Sequence, residues 1–381
     1  MIRDWLEGLR SRGISLALEA TKEALNSLNN PQLCAPAIHV AGSNGKGTAC
    51  AIISTAMILS GKKTGTFTSP HIARVEERIR IDGIPIAPAE LDTALRMIRG
   101  IDKGLTFFET TWIAACILFE QHNVDMMVVE VGLGGRLDAT RTCKASACLV
   151  TSISLEHTDI LGDSIRKIAL EKAAIASECP VLVMKEIEEG KEDVETRYNV
   201  QWVDIEVDDY RQEAAILAEK VLRAGGFEAA ANKVPEAAEV IRWPARMQRV
   251  KDGGREFLLD SAHNPSGMER FIDTLAPIIK ERGWSLLFGS SPQAKLNQFL
   301  QPILRLMEMN PPIDVVCTEA RNGRYPALAA ESFGFGRAIS DVEDALASIN
   351  GDFIVSCGSL YLQGEILSAL GMDTDHDLSL L

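Results

Sequence analysis

Residues 39–50 read HVAGSNGKGTAC, with three glycines set around a lysine and a hydroxyl. Glycine reaches backbone angles other residues avoid and lets amide N–H groups approach an anion closely. Lys46 brings a compact positive charge suited to β- and γ-phosphates, and Thr48 a hydroxyl suited to Mg2+. The stretch follows a strand-like run and opens a helix-like one, whose N-terminus favours anions. The usual phosphate loop spells G-x-x-x-x-G-K-[ST], but here Gly47 separates Lys46 from the hydroxyl. The expectation is a phosphate site with a shifted hydroxyl. The competing reading is a glycine-rich turn with a solvated lysine.

Magnesium bound beside phosphate takes oxygen ligands, often one or two carboxylates. Glu130 ends the apolar run MMVVE, where a charge is costly unless it is paired or metal-bound. The alternative for it is an ion pair with an arginine such as Arg136. Next comes VGLGGRLDAT, a glycine-rich turn without dinucleotide-fingerprint spacing. The loop TSPHIARVEERIRIDG sets Ser69 and His71 about a stiffening proline. His157, in SLEHTDILG, follows the strand-like ACLVTSIS and is expected at the same sheet edge as Glu130, where a neutral imidazole can ligate a metal. Lys172, in IALEKAAIA, reads in isolation as a surface lysine in a good helix. In LLDSAHNPSG, Asp260 ends a strand, His263 and Asn264 follow, and Ser266 suits a helix cap. Arg246, in WPARMQ, could carry charge across a cleft, against a plain reading as a linker arginine.

These loops need elements to hold them. Strand-like and helix-like runs alternate, which predicts an α/β fold with a largely parallel sheet. IHVAG, DMMVVEVG, ACLVTSIS and PVLVM are expected strands, and KGTACAIISTAMILSG and DSIRKIALEKAAIASE expected helices. Residues 185–240 are acidic and weakly patterned, apart from a helix near YRQEAAILAEKVLRAGG. A second series follows, with strands at EFLLDSA, SLLFG, IDVVCT and FIVSCG. The boundary is placed near 243, giving domains 1–243 and 244–381, with ligands at strand C-terminal ends and between the domains. The 381 residues suit two domains, and 46% hydrophobic content is ample for packed cores. A net charge of −14 argues against a nucleic-acid partner. No apolar run reaches about 18 residues, so no membrane span is expected. The charged N-terminus is not a signal peptide, and eight cysteines without metal spacing fit reduced thiols in the cytoplasm.

Together the stretches GISLALEATKEAL, HVAGSNGKGT, TSPHIARVEERIRIDG, TFFE, VDMMVVEVGLGGRLDAT, TSISLEHTDILGDSIRKIALEKAAI, WPARMQ, DSAHNP and CGSLYLQGE resemble the folylpolyglutamate synthase/dihydrofolate synthase family of the Mur ligase superfamily. They run in the family's order from about residue 13 to 365. The resemblance implies a P-loop ATPase domain with a mostly parallel sheet and a smaller Rossmann-like C-terminal domain. It implies that Asn44, Gly45, Lys46, Gly47 and Thr48 hold ATP phosphates, G-K-G-[ST] being the family's usual spelling. Thr48, Ser69 and Glu130 would serve one Mg2+ and His157 a second. Lys172 matches a lysine carbamylated in the family, Arg246, Asp260, His263 and Asn264 would contact the nucleotide, and Phe107 and Phe108 look similar to residues near the pterin pocket. Lys46, Lys172 and His157 form the expected catalytic set. Three spellings depart from the family: Ala245 for Gly before the arginine, Ser261 in DSAHNP, and SSPQAKL where a D-K-D type loop is usual.

The implied reaction is ATP-driven addition of L-glutamate to a folate or dihydropteroate carboxylate through an acyl phosphate, by a monomer. The absence of a Ser/His/Asp or Cys/His arrangement fits a reaction that needs little general-base chemistry. Rival readings are a ligase of the same superfamily with another pterin or carboxylate acceptor, a switch NTPase and a non-enzymatic binding protein. A cell-wall Mur ligase is disfavoured because the P-loop arrives by residue 42.

Overall fold

The computed structural model describes residues 1–381 except 102, 208, 294, 322, 324 and 325. It divides into two compact units, Met1–His71 with Glu76–Ile241 and Ser379–Leu381, and Ile72–Val75 with Arg242–Leu378.

The first unit is built on eight strands: β1 (Ala37–Ala41), β2 (Thr64–Phe67), β3 (Ile79–Ile81), β4 (Ile84–Pro85), β5 (Met126–Glu130), β6 (Ala145–Val150), β7 (Leu182–Lys185) and β8 (Val200–Val203). Their order is β4-β3-β2-β5-β1-β6-β7-β8, parallel except at the β2–β3 and β3–β4 pairs. Strands covered on both faces must be apolar throughout, and every residue of β1 and β5 is buried. The exception inside β1, His39, is satisfied by the Thr140 hydroxyl at 2.9 Å.

β1 lies between β5 and β6, with Val40 opposite Glu130 and Ala41 opposite Val150. Three strands therefore end level, and the loops after them face one another. The chain leaves β1 toward β2 on one side, while β6 lies on the other, so this edge is a topological switch point. The helix Lys46–Leu59 opens here and is buried from Thr48 to Met57, as an almost wholly apolar helix must be. The helices Tyr210–Ala224 and Val234–Val240 pack on it. The weakly patterned acidic stretch thus covers the P-loop helix, and also contributes β8 and the helices Lys191–Arg197 and Glu228–Ala231.

The second unit has β9 (Gln248–Asp252), β10 (Arg255–Leu259), β11 (Ser285–Phe288), β12 (Val315–Cys317), β13 (Arg337–Ala338) and β14 (Phe353–Cys357). Their order is β13-β12-β11-β14-β10-β9, with β9 alone antiparallel among them. Alternation along the strands sends Phe257, Leu259 and Ile354 into one apolar core and Leu258, Phe353 and Val355 into the other. This is a smaller α/β layer with both faces covered, as expected.

Ile72 packs on the first of these cores, and its carbonyl lies against Gly364 of the helix Leu360–Ala369. A Cβ on Gly364 would sit 2.0 Å from that backbone oxygen. We expect Gly364→Ala to lower the unfolding free energy by about 1–3 kcal/mol. Urea titration checks this, and a variant as stable as the parent would contradict the close approach.

Candidate active site

The phosphate loop is held open by glycines and braced from one side. Gly45 (φ 84°) caps the helix in a left-handed conformation, and Gly42 (φ 146°) leaves no room for a side chain. A Cβ there would lie 2.0 Å from the Thr151 hydroxyl. The brace is the exit of β6. Ser43 N–H donates to Ser152 O (2.7 Å), Asn44 N–H to Ser152 Oγ (3.0 Å), and Thr151 Oγ1 to Asn44 O (2.7 Å). TSIS was expected to continue the strand. It leaves β6 at Val150 because its hydroxyls hold the loop. The N–H groups of the helix's first turn have no carbonyl within the helix to accept them. Thr48 is buried in that turn.

Two lysines converge on one carbonyl. Lys46 Nζ donates to Gly42 O (2.9 Å) and Ser43 O (3.3 Å), while Lys172 Nζ donates to the same Gly42 O at 2.9 Å. Lys172 is 2% exposed, which overturns its reading as a surface residue. Its helix, Ile165–Ala173, turns it inward on the face of Ile168 and Ala169. Glu156 is its counter-charge, with Oε1 2.7 Å from Nζ. Burial pushes the Lys172 ammonium down to about 8; Glu156 opposes this and Lys46 adds to it. Burial acts to raise the Glu156 carboxyl, but Lys172 and Lys46 outweigh it and hold it below the ordinary range.

The turn GLGGRLD forms the facing wall. Asp138 Oδ2 accepts from Gly132 N–H (3.0 Å) and Leu133 N–H (2.9 Å). Its Oδ1 accepts from Thr140 N–H (3.0 Å) and from the Thr140 hydroxyl, which also meets His39. Burial raises the Asp138 carboxyl against these bonds. Gly135 lies against the Glu171 and Lys172 carbonyls, where a Cβ would stand 2.8 and 2.9 Å away. Arg136 pairs with Glu171 (2.9 Å), so it is not the partner of Glu130. Glu130 accepts from Ser69 N–H at 2.9 Å and acts electrostatically on the buried Arg80 guanidinium. Gly42, Lys46, residues 131–134, Glu156, His157 and Lys172 line one cavity of about 30 Å3. His157 stands there with φ 46°, a left-handed angle uncommon outside glycine. Phe108 lies against Gly132, whose Cβ would be 2.5 Å from its ring. The Phe107 ring is covered by Arg10 at 4.3 Å and Arg78 at 5.1 Å.

Asp138 and Glu156 were missed as site residues, although both lie inside recognised motifs. The signals were present. Asp138 is a buried-type acid at the close of a glycine turn, and Glu156 directly precedes His157. Among the described residues no three His, Cys, Asp or Glu side chains form a metal cage. Magnesium at phosphates needs none, since substrate oxygens and waters complete its shell. The hydroxyls of Thr48 and Ser69 and the carboxylate of Glu130 are the hard oxygen donors it takes.

In the second unit WPARMQ and DSAHNP form one structure. Asp260 accepts from Met247 N–H (2.9 Å) and Ala262 N–H (2.8 Å), and Ser261 N–H donates to Ala245 O (3.0 Å). Arg246 stands between Ala245 (φ 54°) and Met247 (φ 48°), and burial raises the Asp260 carboxyl while Arg246 lowers it. Asn264 caps the helix Pro265–Ile279 by accepting from Gly267 N–H (2.7 Å). His263 Nδ1 meets Ser261 O at 2.8 Å. In SSPQAKL, Gln293 ties the loop to His263 O (3.0 Å), and Lys295 is exposed.

A model of the Mur ligase middle domain matches residues 40–223. A dihydrofolate synthase/folylpolyglutamate synthase from Escherichia coli (strain K12) is 29% identical over 405 residues, covering 96% of this chain and 94% of its own. A solved structure of E. coli FolC in complex with DHPP and ADP aligns with a TM-score of 0.84 at 27% identity, covering 97% of each chain. A Yersinia pestis bifunctional folylpolyglutamate synthase/dihydrofolate synthase complexed with AMPPNP and Mn ion aligns at 0.82 and 26% identity, over 97% of this chain and 98% of its own. Along almost its whole length the chain is similar to folylpolyglutamate synthase/dihydrofolate synthases. The middle-domain match begins at Val40 in β1, ahead of the loop, and ends within the helix Tyr210–Ala224, so it takes in the first unit's cavity.

Lys172 holds its proton less tightly folded, with a pKa of about 8 against an ordinary 10.5. Between those values the unfolded chain binds more protons, so raising the pH favours the folded state. In CO2-free buffer, stability is expected to climb across that window in the parent relative to Lys172→Met. Equal pH slopes in urea titrations would remove the shift.

Proposed function

We propose that this chain is an ATP-dependent ligase that adds L-glutamate to the carboxylate of a folate or dihydropteroate through an acyl phosphate. One observation carries the reading. Lys46 and Lys172, balanced by Glu156, meet at the mouth of a phosphate loop in a chain that matches the family along almost its whole length.

A carboxylate oxygen is a poor leaving group, so the acceptor must be activated. Transfer of the γ-phosphoryl group to the acceptor carboxylate gives an acyl phosphate and ADP. The neutral α-amine of glutamate attacks the acyl carbon, and the tetrahedral intermediate collapses to the amide with loss of phosphate. The work asked of the protein is positioning and charge stabilisation. Asn44 to Thr48 would cradle the phosphates with backbone N–H groups, and Lys46 would exchange its hold on Gly42 and Ser43 for phosphate oxygens. Thr48, Ser69, Glu130 and His157 would hold two Mg2+ ions, which supply positive charge against the transferring group. Asp138 keeps the 132–133 turn in place, with Phe108 behind it toward the acceptor.

The Lys172 amine, pushed down to about 8, has an appreciable neutral fraction near neutral pH. A neutral amine attacks CO2 to give a carbamate and a proton. That would convert the residue from a cation paired with Glu156 into a further anionic oxygen donor for the metal set. Arg246, Asp260, His263 and Asn264 are assigned to the nucleotide from the second unit, and residues 1–243 and 244–381 to the ATP-binding and C-terminal domains. The working form is a cytoplasmic monomer. All eight cysteines are free thiols, and no described helix is long and apolar enough to cross a membrane.

The test is glutamate-dependent ADP release, measured separately with dihydropteroate and with reduced folates. Stimulation by one, or by both, names the activity, and stimulation by neither would overturn the substrate assignment. Lys46→Ala is expected to slow ADP release by about 100-fold or more. Retained turnover would take the loop out of the mechanism.

A further inference from the structure

A second cavity, of about 310 Å3, opens at the opposite edge of the first unit's sheet, beside Ala145 at the start of β6. Its charged lining is Lys22, Arg141 and Lys144 against the single carboxylate Glu178, in a chain whose net charge is −14. Among the described residues neither the Lys22 nor the Lys144 ammonium has a hydrogen bond or ion pair, and both are exposed. Arg141 is half-buried and donates to Arg136 O through Nη1 (2.8 Å). Gln32 also lines the cavity. It is 7% exposed, and its Oε1 has no hydrogen-bond partner among the described residues. His39 lies at the back, kept neutral by burial.

Three cations gathered about one cavity repel one another. An anionic guest relieves that repulsion. We propose that this cleft binds a small polyanion, a molecule with two or more anionic groups, so that Lys22, Arg141 and Lys144 hold the charge. The cavity is at the lower end of the size range of small-molecule sites, which suits a compact metabolite. The polyanion can be a polycarboxylate or a phosphorylated compound, since the cations are the same for either. The site owes nothing to Lys46, which lies beyond the other end of β1.

Citrate and pyrophosphate serve as probes, with KCl at matched ionic strength as control, in the absence of Mg2+. Calorimetric titration is run on the parent, on Lys46→Ala and on Lys22→Gln/Lys144→Gln. The two cleft lysines are exposed and make no side-chain hydrogen bond or ion pair among the described residues, so the double variant is expected to fold and to keep the parent's activity. Cleft binding should survive in Lys46→Ala and weaken about tenfold or more in the double variant. Cys143 and Cys179 line the same cavity and report its occupancy. Alkylation of Cys179, followed by peptide mass spectrometry, should slow severalfold with the anion bound in the parent and not in the double variant. Binding of citrate alone or pyrophosphate alone identifies the source. Binding lost wholly with Lys46, binding unchanged in the double variant, or neither anion slowing alkylation beyond the KCl control would each overturn the proposal.

Discussion

The Gly42 carbonyl is the point on which the site depends. Two ammonium groups donate to it, one from the helix the loop opens and one from a helix more than a hundred residues later. Two cations so close cannot stand on that dipole alone. Glu156 is therefore required, and removing one partner of such a buried arrangement typically costs about 3–5 kcal/mol. The conflict is local and unresolved by packing. A phosphate group brought to the loop would offer Lys46 a better partner than a carbonyl and lessen the repulsion between the two ammonium groups.

Everything around that carbonyl serves to keep it there. The level ending of β5, β1 and β6 brings three loops together, and the serines and threonine after β6 pin the loop from one side. Asp138 fixes the opposite wall by its bonds to Gly132 and Leu133, and reaches back through Thr140 to His39 in β1. The loop and its wall are thus tied to one strand by a buried chain of polar groups, each satisfied by the next.

Much of this was legible in the residues. The glycine loop, Glu130 at the end of its strand and the alternation of strands with helices all follow from apolar patterning and turn chemistry. Lys172 was hidden by its type. The helical spacing from Ile168 puts it on the buried face, yet a lone lysine in a good helix reads as solvated. Short strands such as β3, β4 and β13 carry two or three residues, too few for a period to show. In the acidic 185–240 stretch the helix Tyr210–Ala224 was legible, whereas β8 and the helices Lys191–Arg197, Glu228–Ala231 and Val234–Val240 are too short for a period to show. In the second unit, Ala245 stands where the family usually has glycine, with a left-handed angle that costs about 1–2 kcal/mol without glycine. Its backbone is gripped by Gln248 (2.9 Å) and by Ser261, which holds the turn about Arg246 despite that cost. Spelling shows the substitution, and only the backbone shows what it does.

The central claim is that a buried, depressed lysine beside the phosphate loop is chemically committed to the site. Carbon-13 NMR of the protein equilibrated with labelled bicarbonate tests it most directly. The account predicts a carbamate carbon resonance at Lys172, absent from Lys172→Arg, with glutamate-dependent ADP release rising as bicarbonate is restored. No such resonance, together with full activity in bicarbonate-free buffer, would contradict it.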